Sequence, residues 1–195
     1  MKQIQLSTIR FLILIVVFSL GSTIFAGEVM KVENFTLKDY TGKPHSLSDY
    51  KDAKAIVVMF IATQCPVSNA YNSRMEKLYQ DYSPKDIAFI GINSNKQESV
   101  KEVAEHAKEQ GFTFTILKDP DNIIADKFDA QVTPEIYVLN SNFEVLYHGR
   151  IDDSQRENKV TNQDLRTALN EILAGKQVSV TETKAFGCTI KRVSK

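Results

Sequence analysis

The two cysteines, Cys65 and Cys188, are the residues best equipped for chemistry in this chain. Cys65 follows an apolar, β-branched run and precedes Pro66, a residue suited to the first turn of a helix because its missing N–H costs nothing there. A sulfur at a helix N-terminus faces unpaired N–H groups and partial positive charge. Both favour the thiolate, which is the nucleophilic form. A tenfold preference for the thiolate corresponds to about 1.4 kcal/mol. The same position also suits a buried, inert cysteine at a strand end. Ser68, three residues on, offers a hydroxyl that could donate to a Cys65 thiolate, or it faces solvent as an ordinary first-turn serine. Cys188 lies far along the chain and has three readings: a second thiol that resolves a mixed disulfide, a static staple, or an unpaired cysteine. His45, His106 and His148 are scattered, with no metal-ligand spacing, and His106 sits within a polar helix where solvation is expected. A copper-carrying role would want two nearby thiols and a partnered histidine. Arg150, in Gly-Arg-Ile-Asp-Asp, is expected to pair with Asp152 or Asp153 at the surface.

The elements that position Cys65 are legible from periodicity. Two short alternating runs within residues 32–50 flank a Thr-Gly-Lys-Pro turn and predict an N-terminal β-hairpin. Residues 55–61 form a continuous apolar run, as in a strand buried on both faces. Tyr71, Met75, Leu78 and Tyr82 share one helical face, and Ser83-Pro84 ends that helix. A second buried strand follows at 87–92, then a charged amphipathic helix at 97–110 stopped by Gly111. Further along lie a short strand at 112–117 and a short helix at 122–128. Strands at 135–139 and 143–148 are joined by Asn140-Ser141-Asn142, and a last helix spans 162–173. The order predicts an α/β domain with a mixed central sheet flanked by helices.

Composition sets the outer bounds. The chain has 195 residues, 43% of them hydrophobic and 25% charged, which suits one globular domain with a proper core. Residues 1–26 read as a secretory signal peptide. Lys2 and Arg10 precede an apolar run at 11–20, and cleavage is expected after Ala26. The stretch is shorter than the roughly 20 apolar residues a spanning helix needs. Its removal takes away two basic and no acidic residues, leaving 22 basic and 24 acidic. That balance gives no footprint for nucleic acid and no polybasic membrane patch. The expected organisation is therefore a signal peptide at 1–26, a redox domain at 27–175, and a C-terminal tail at 176–195 carrying Cys188. The expected location is periplasmic or secreted.

The stretch Phe60-Ile61-Ala62-Thr63-Gln64-Cys65-Pro66-Val67-Ser68 resembles the active-site segment of TlpA/ResA-type thioredoxin-like proteins. Thr133-Pro134 resembles their cis-proline loop, which the resemblance places opposite the thiol. The runs beginning at Phe35, Cys65, Gly91, Val132, Gly149 and Gly187 are similar to a peroxiredoxin-like subgroup of exported redoxins in the AhpC/TSA superfamily. The resemblance covers about Val32 to Lys191 and implies a thioredoxin-like fold with no cofactor.

The departures bear on activity. Gln64 replaces the usual Trp, and Ser68 stands where the family has its second cysteine. The peroxiredoxin Pro and Thr positions hold Val58 and Ala62, with Thr63 one place along. The first expectation is a cell-envelope thiol–disulfide oxidoreductase acting on protein or small-molecule disulfides. It would draw electrons from an envelope thiol reductant. Its site would comprise Cys65, Cys188, Pro134, Ser68 and Thr63. The alternatives are a hydroperoxide-reducing antioxidant using Cys65 and a non-catalytic thioredoxin-fold binding module.

Overall fold

The computed structural model describes residues 29–194; the expected signal peptide lies outside them. The N-terminal hairpin is formed by β1 (Thr36–Asp39) and β2 (Pro44–Ser46). Strand β3 (Ala55–Phe60) leads to the one-turn helix α1 (Pro66–Asn69) and to α2 (Asn72–Tyr82). Then come β4 (Ile87–Asn93), α3 (Val100–Gln110), β5 (Thr115–Lys118) and α4 (Ile123–Lys127). The second half holds β6 (Val132–Thr133), β7 (Glu135–Leu139), β8 (Val145–Gly149), α5 (Asp164–Leu173) and β9 (Cys188–Thr189).

Seven strands form one sheet in the order β2-β1-β5-β4-β3-β7-β8. β3, β4 and β5 run parallel, whereas β7, β8 and the hairpin join antiparallel. This is the mixed, helix-flanked sheet of a thioredoxin-like fold. All six residues of β3 are buried because each face of the sheet is covered. Ala55, Val57 and Met59 point into one core with Met75, Leu78, Val103 and Leu165, beneath α2, α3 and α5. Ile56, Val58 and Phe60 point into the other, with Phe35, Phe128 and Tyr137. Each such aliphatic side chain contributes about 1.5–3 kcal/mol by leaving water.

Element ends depart from the periodic reading for local reasons. Ser99 caps α3 through a reciprocal Ser99–Glu102 box, so the helix starts at Val100 rather than Gln97. Phe143 has φ +64, in the left-handed region, which delays β8 to Val145. The helix expected to run on from Pro66 is broken after Asn69. The Tyr71 N–H bonds the Ser68 carbonyl, a tighter i−3 link, before α2 begins.

The chain after residue 175 lies along the domain. Thr181 and Thr183 bond the backbone of His148 at the β8 edge. Gly149, with φ +147, makes room for this approach, since a side-chain carbon there would collide with Thr183. Phe186 meets the Tyr71 ring edge-on, and Ile190 is buried in the second core. Among the described residues, no helix is long and apolar enough to cross a membrane.

Candidate active site

Cys65 caps α1, and its sulfur accepts the Ser68 backbone N–H at 3.3 Å. The Thr133 carbonyl oxygen lies 3.3 Å from the same sulfur. The Thr133–Pro134 peptide bond is cis. The strand β3, the turn after it and the cis-proline loop therefore converge on one atom. Cys65 forms a disulfide with Cys188, with Cα atoms 5.9 Å apart at a sequence separation of 123. That separation of Cα atoms lies within the range a disulfide spans.

Cys65 is only 4% exposed. The tail covers it: β9 pairs antiparallel with β6, setting Cys188 opposite Thr133 and Thr189 opposite Val132. Gly187 permits this approach, because a side-chain carbon there would run into the Thr133 carbonyl. Gly187→Ala is expected to lower the equilibrium constant for the Cys65–Cys188 disulfide about tenfold, within the 1–3 kcal/mol cost of an overpacked contact. The fraction oxidised in a fixed glutathione buffer measures it. An unchanged fraction would mean the tail does not need this close approach.

The turn preceding Cys65 is held by Glu98, which is fully buried. Its carboxylate accepts the Thr63 N–H at 2.8 Å and the Gln64 N–H at 3.0 Å. It also accepts the side-chain amides of Asn93 and, at 2.9 Å, Asn95. Lys118 closes the cluster, with Nζ 2.6 Å from Asn93 Oδ1 and 2.7 Å from the Asn95 carbonyl. Burial pulls the Lys118 ammonium below its usual range, and Glu98, Asp119 and Glu102 oppose that pull. Sequence reasoning missed this cluster. Its signal was the polar Asn-Ser-Asn closing a buried strand, followed three residues later by Glu98.

Glu135, directly after Pro134, anchors the other side. One carboxylate oxygen takes the N–H groups of Gln131 and Val132 at 2.7 and 3.0 Å. The other meets His148 Nε2 at 2.6 Å and accepts the Tyr137 hydroxyl at 3.1 Å. Burial alone would raise its pKa; the His148 bond and the two N–H donors outweigh burial and hold it below 4.5. A carboxyl depressed in the folded state stabilises it above the ordinary value and loses that contribution as pH falls through the folded value. Hydrogen-exchange protection of Gln131 and Val132 is therefore expected to hold above pH 4.5 and fall at more acid pH. In Glu135→Gln that acid-dependent loss should vanish. Protection that stays flat with pH in the unaltered protein would contradict the assignment.

Other expectations meet mixed outcomes. Ser68 is neither solvent-facing nor a hydroxyl donor to Cys65: it is fully buried, and its Oγ accepts the Ala62 N–H at 3.2 Å. Its backbone N–H, not its hydroxyl, reaches the sulfur, because the first turn of a helix aims its N–H groups at the cap. Thr63 contributes backbone groups to Glu98 and Asn69, while its hydroxyl is buried without a hydrogen-bond partner among the described residues. Arg150 pairs with Asp164 at 2.8 Å rather than with Asp152 or Asp153. Arg74 and Tyr71 occupy Asp152, and Thr161 and Asn162 occupy Asp153. His106 is half-buried against Phe112 and lies 3.3 Å from Asn72 Nδ2; burial lowers its pKa, so it is not the solvated histidine expected. Among the described residues, no three His, Cys, Asp or Glu side chains converge to hold a metal.

Comparison with known proteins bears on this geometry. The model of the AhpC/TSA family matches residues 30–154, more than half of the chain. Thiol-disulfide oxidoreductase ResA of Halalkalibacterium halodurans is 27% identical over 121 residues, 62% of this chain and 66% of that protein. Peroxiredoxin Q of Sedum lineare is 30% identical over 115 residues, 55% of this chain and 60% of that protein. The chain thus spans about two thirds or less of these two relatives. A solved structure of a hypothetical protein from Sinorhizobium meliloti superposes with a TM-score of 0.80 at 31% identity, covering 86% of this chain and 95% of that one.

Proposed function

The chain belongs to the AhpC/TSA family, whose members related to it are oxidoreductases, and from that premise we propose that it is a thiol–disulfide oxidoreductase of the cell envelope. The carrying observation is the disulfide between the helix-capping Cys65 and the tail's Cys188, made across the Thr133–Pro134 loop. In the proposed cycle the Cys65 thiolate attacks a substrate disulfide R–S–S–R′. A Cys65–S–S–R bond forms and R′–S⁻ leaves. The Cys188 thiolate then attacks the Cys65 sulfur, forming the Cys65–Cys188 disulfide and releasing R–S⁻. An external envelope dithiol returns two electrons, leaving both cysteines reduced and itself oxidised.

The two sulfurs are unequal in the reductive step. Cys188 is half-buried, whereas Cys65 is nearly sealed. Attack by the reductant at Cys188 expels Cys65, whose thiolate the Ser68 N–H and the helix N-terminus stabilise. A leaving thiolate so stabilised departs faster. Ser68 and Thr63 act as positioning residues through their backbone groups, and Pro134 shapes the contact surface. The apolar leader at 1–26 supports export, with a signal cleaved after Ala26, a redox domain from residue 27 and a tail from 176. Protein and small-molecule disulfides are the proposed substrates. The test is turnover of a peptide disulfide by the reduced protein: it should vanish in Cys65→Ser, and full turnover in that variant would reject the reading.

A second reading, hydroperoxide reduction, is favoured by the likeness to Peroxiredoxin Q. Here the Cys65 thiolate takes an oxygen from ROOH, giving a sulfenic acid and ROH, and Cys188 condenses with it to release water. Against it, Ala62 presents no hydroxyl, and its N–H is turned to Ser68. Peroxide consumption faster than disulfide turnover would favour this second reading.

A further inference from the structure

The loop that carries the nucleophile and the tail that carries its partner are joined through two buried side chains, Glu98 and Asn95. Glu98 Oε1 accepts both the Gln64 N–H, one residue before Cys65, and the Asn95 side-chain amide. The other end of the Asn95 amide, Oδ1, accepts the Lys191 N–H of the tail at 2.8 Å. The Lys191 carbonyl in turn accepts the Lys96 N–H at 2.9 Å. Asn95 is 5% exposed and Glu98 fully buried, so neither can trade these bonds freely for water. Only two side chains therefore separate the residue before Cys65 from the residue three places after Cys188.

We propose that Asn95 is a positioning residue that couples docking of the tail to the geometry of the nucleophile's loop. The inference rests on the reading of Cys65 and Cys188 as the redox pair. With the tail docked, both ends of the Asn95 amide are engaged, which fixes its orientation and holds Glu98 against Thr63 and Gln64. When the disulfide is cleaved and the tail leaves, Oδ1 loses its donor. The amide then regains its broad side-chain torsion, and its grip on Glu98 Oε1 loosens. Binding free energies are reciprocal across such a link. A loop held well by Glu98 favours tail docking and disulfide formation, and a docked tail holds the loop.

The test compares hydrogen exchange at Thr63 and Gln64 in the oxidised protein and after reduction by a phosphine. Exchange is expected to quicken about fivefold or more on reduction, the lower end of ordinary coupling between sites. In Asn95→Ala that dependence on redox state should be lost. In a glutathione buffer, Asn95→Ala should lower the disulfide equilibrium constant about tenfold, equivalent to about 30 mV for a two-electron couple. Lys191→Pro removes the N–H that Asn95 accepts without touching the buried cluster, and should give a similar loss even if Asn95→Ala folds poorly. Exchange at Thr63 and Gln64 that ignores reduction, or a disulfide equilibrium unmoved in Lys191→Pro, would overturn the proposal. Phosphine reduction needs no substrate, so a protein that couples its loop to its tail but turns nothing over would refute the proposed function alone.

Discussion

Cys188→Ser is expected to turn the protein into a trap for its own substrate. Cys65 keeps its place at the head of α1, with the Ser68 N–H and the Thr133 carbonyl each 3.3 Å from its sulfur. Its attack on a disulfide is unimpaired, but the thiol that would expel the product is gone. In the unaltered protein β9 holds Cys188 opposite Thr133, so resolution is intramolecular. A tethered group acts at an effective concentration in the millimolar range, so release by micromolar external thiol should be slower by about a thousandfold. Non-reducing mass measurement should show one substrate thiol per protein, mapped to Cys65. Cys65→Ser should form no such adduct. Equal release rates in the Cys188→Ser and unaltered proteins would remove Cys188 from the cycle.

The second large effect is on stability. The Cys65–Cys188 bond closes a loop across 123 residues of sequence separation. On the chain-entropy account such a closure stabilises the fold by about 5 kcal/mol. For a chain of this size, 1 kcal/mol moves the melting temperature about 2–4 °C, so reduction should lower it by about 10–20 °C. Cys188→Ser should melt near the reduced value and ignore added reductant. A reduced protein melting within a few degrees of the oxidised one would mean that tail docking, not the covalent link, holds residues 176–194 in place. The same linkage makes the fold favour the disulfide, which bears on the choice between a cycling bond and a static staple. A staple would resist an envelope dithiol altogether, whereas a cycling pair yields to it.

The local frame of the site was legible in the sequence because local rules build it. An unbroken apolar run gave β3, and Pro66 marked the head of a helix, which together put Cys65 where N–H groups converge. The cis bond before Pro134 came from resemblance rather than from composition. Two of the three readings of Cys188 paired it with Cys65 and the third left it unpaired, because a separation of 123 residues carries no geometry. β6 and β9 are two residues each, too short for alternation to register, and their pairing joins distant parts of the chain. Glu98 escaped for a similar reason: in a charged stretch it resembles a solvated residue until four N–H donors from two other segments close on it. Arg150 found Asp164, fourteen residues on, because nearer acids were already engaged. What periodicity reports is which face is buried; it does not report which polar groups meet across the fold.

The central claim is that electrons pass from Cys188 through Cys65 to the substrate disulfide, and one experiment addresses it directly. Fully reduced protein is mixed with excess peptide disulfide, quenched in acid at intervals, alkylated and mapped by peptide mass. The expected course is a transient substrate adduct on Cys65 with release of a first substrate thiol, followed by a peptide pair joining Cys65 to Cys188 in step with release of the second. Substrate consumed while Cys188 remains open to alkylation throughout would contradict the account.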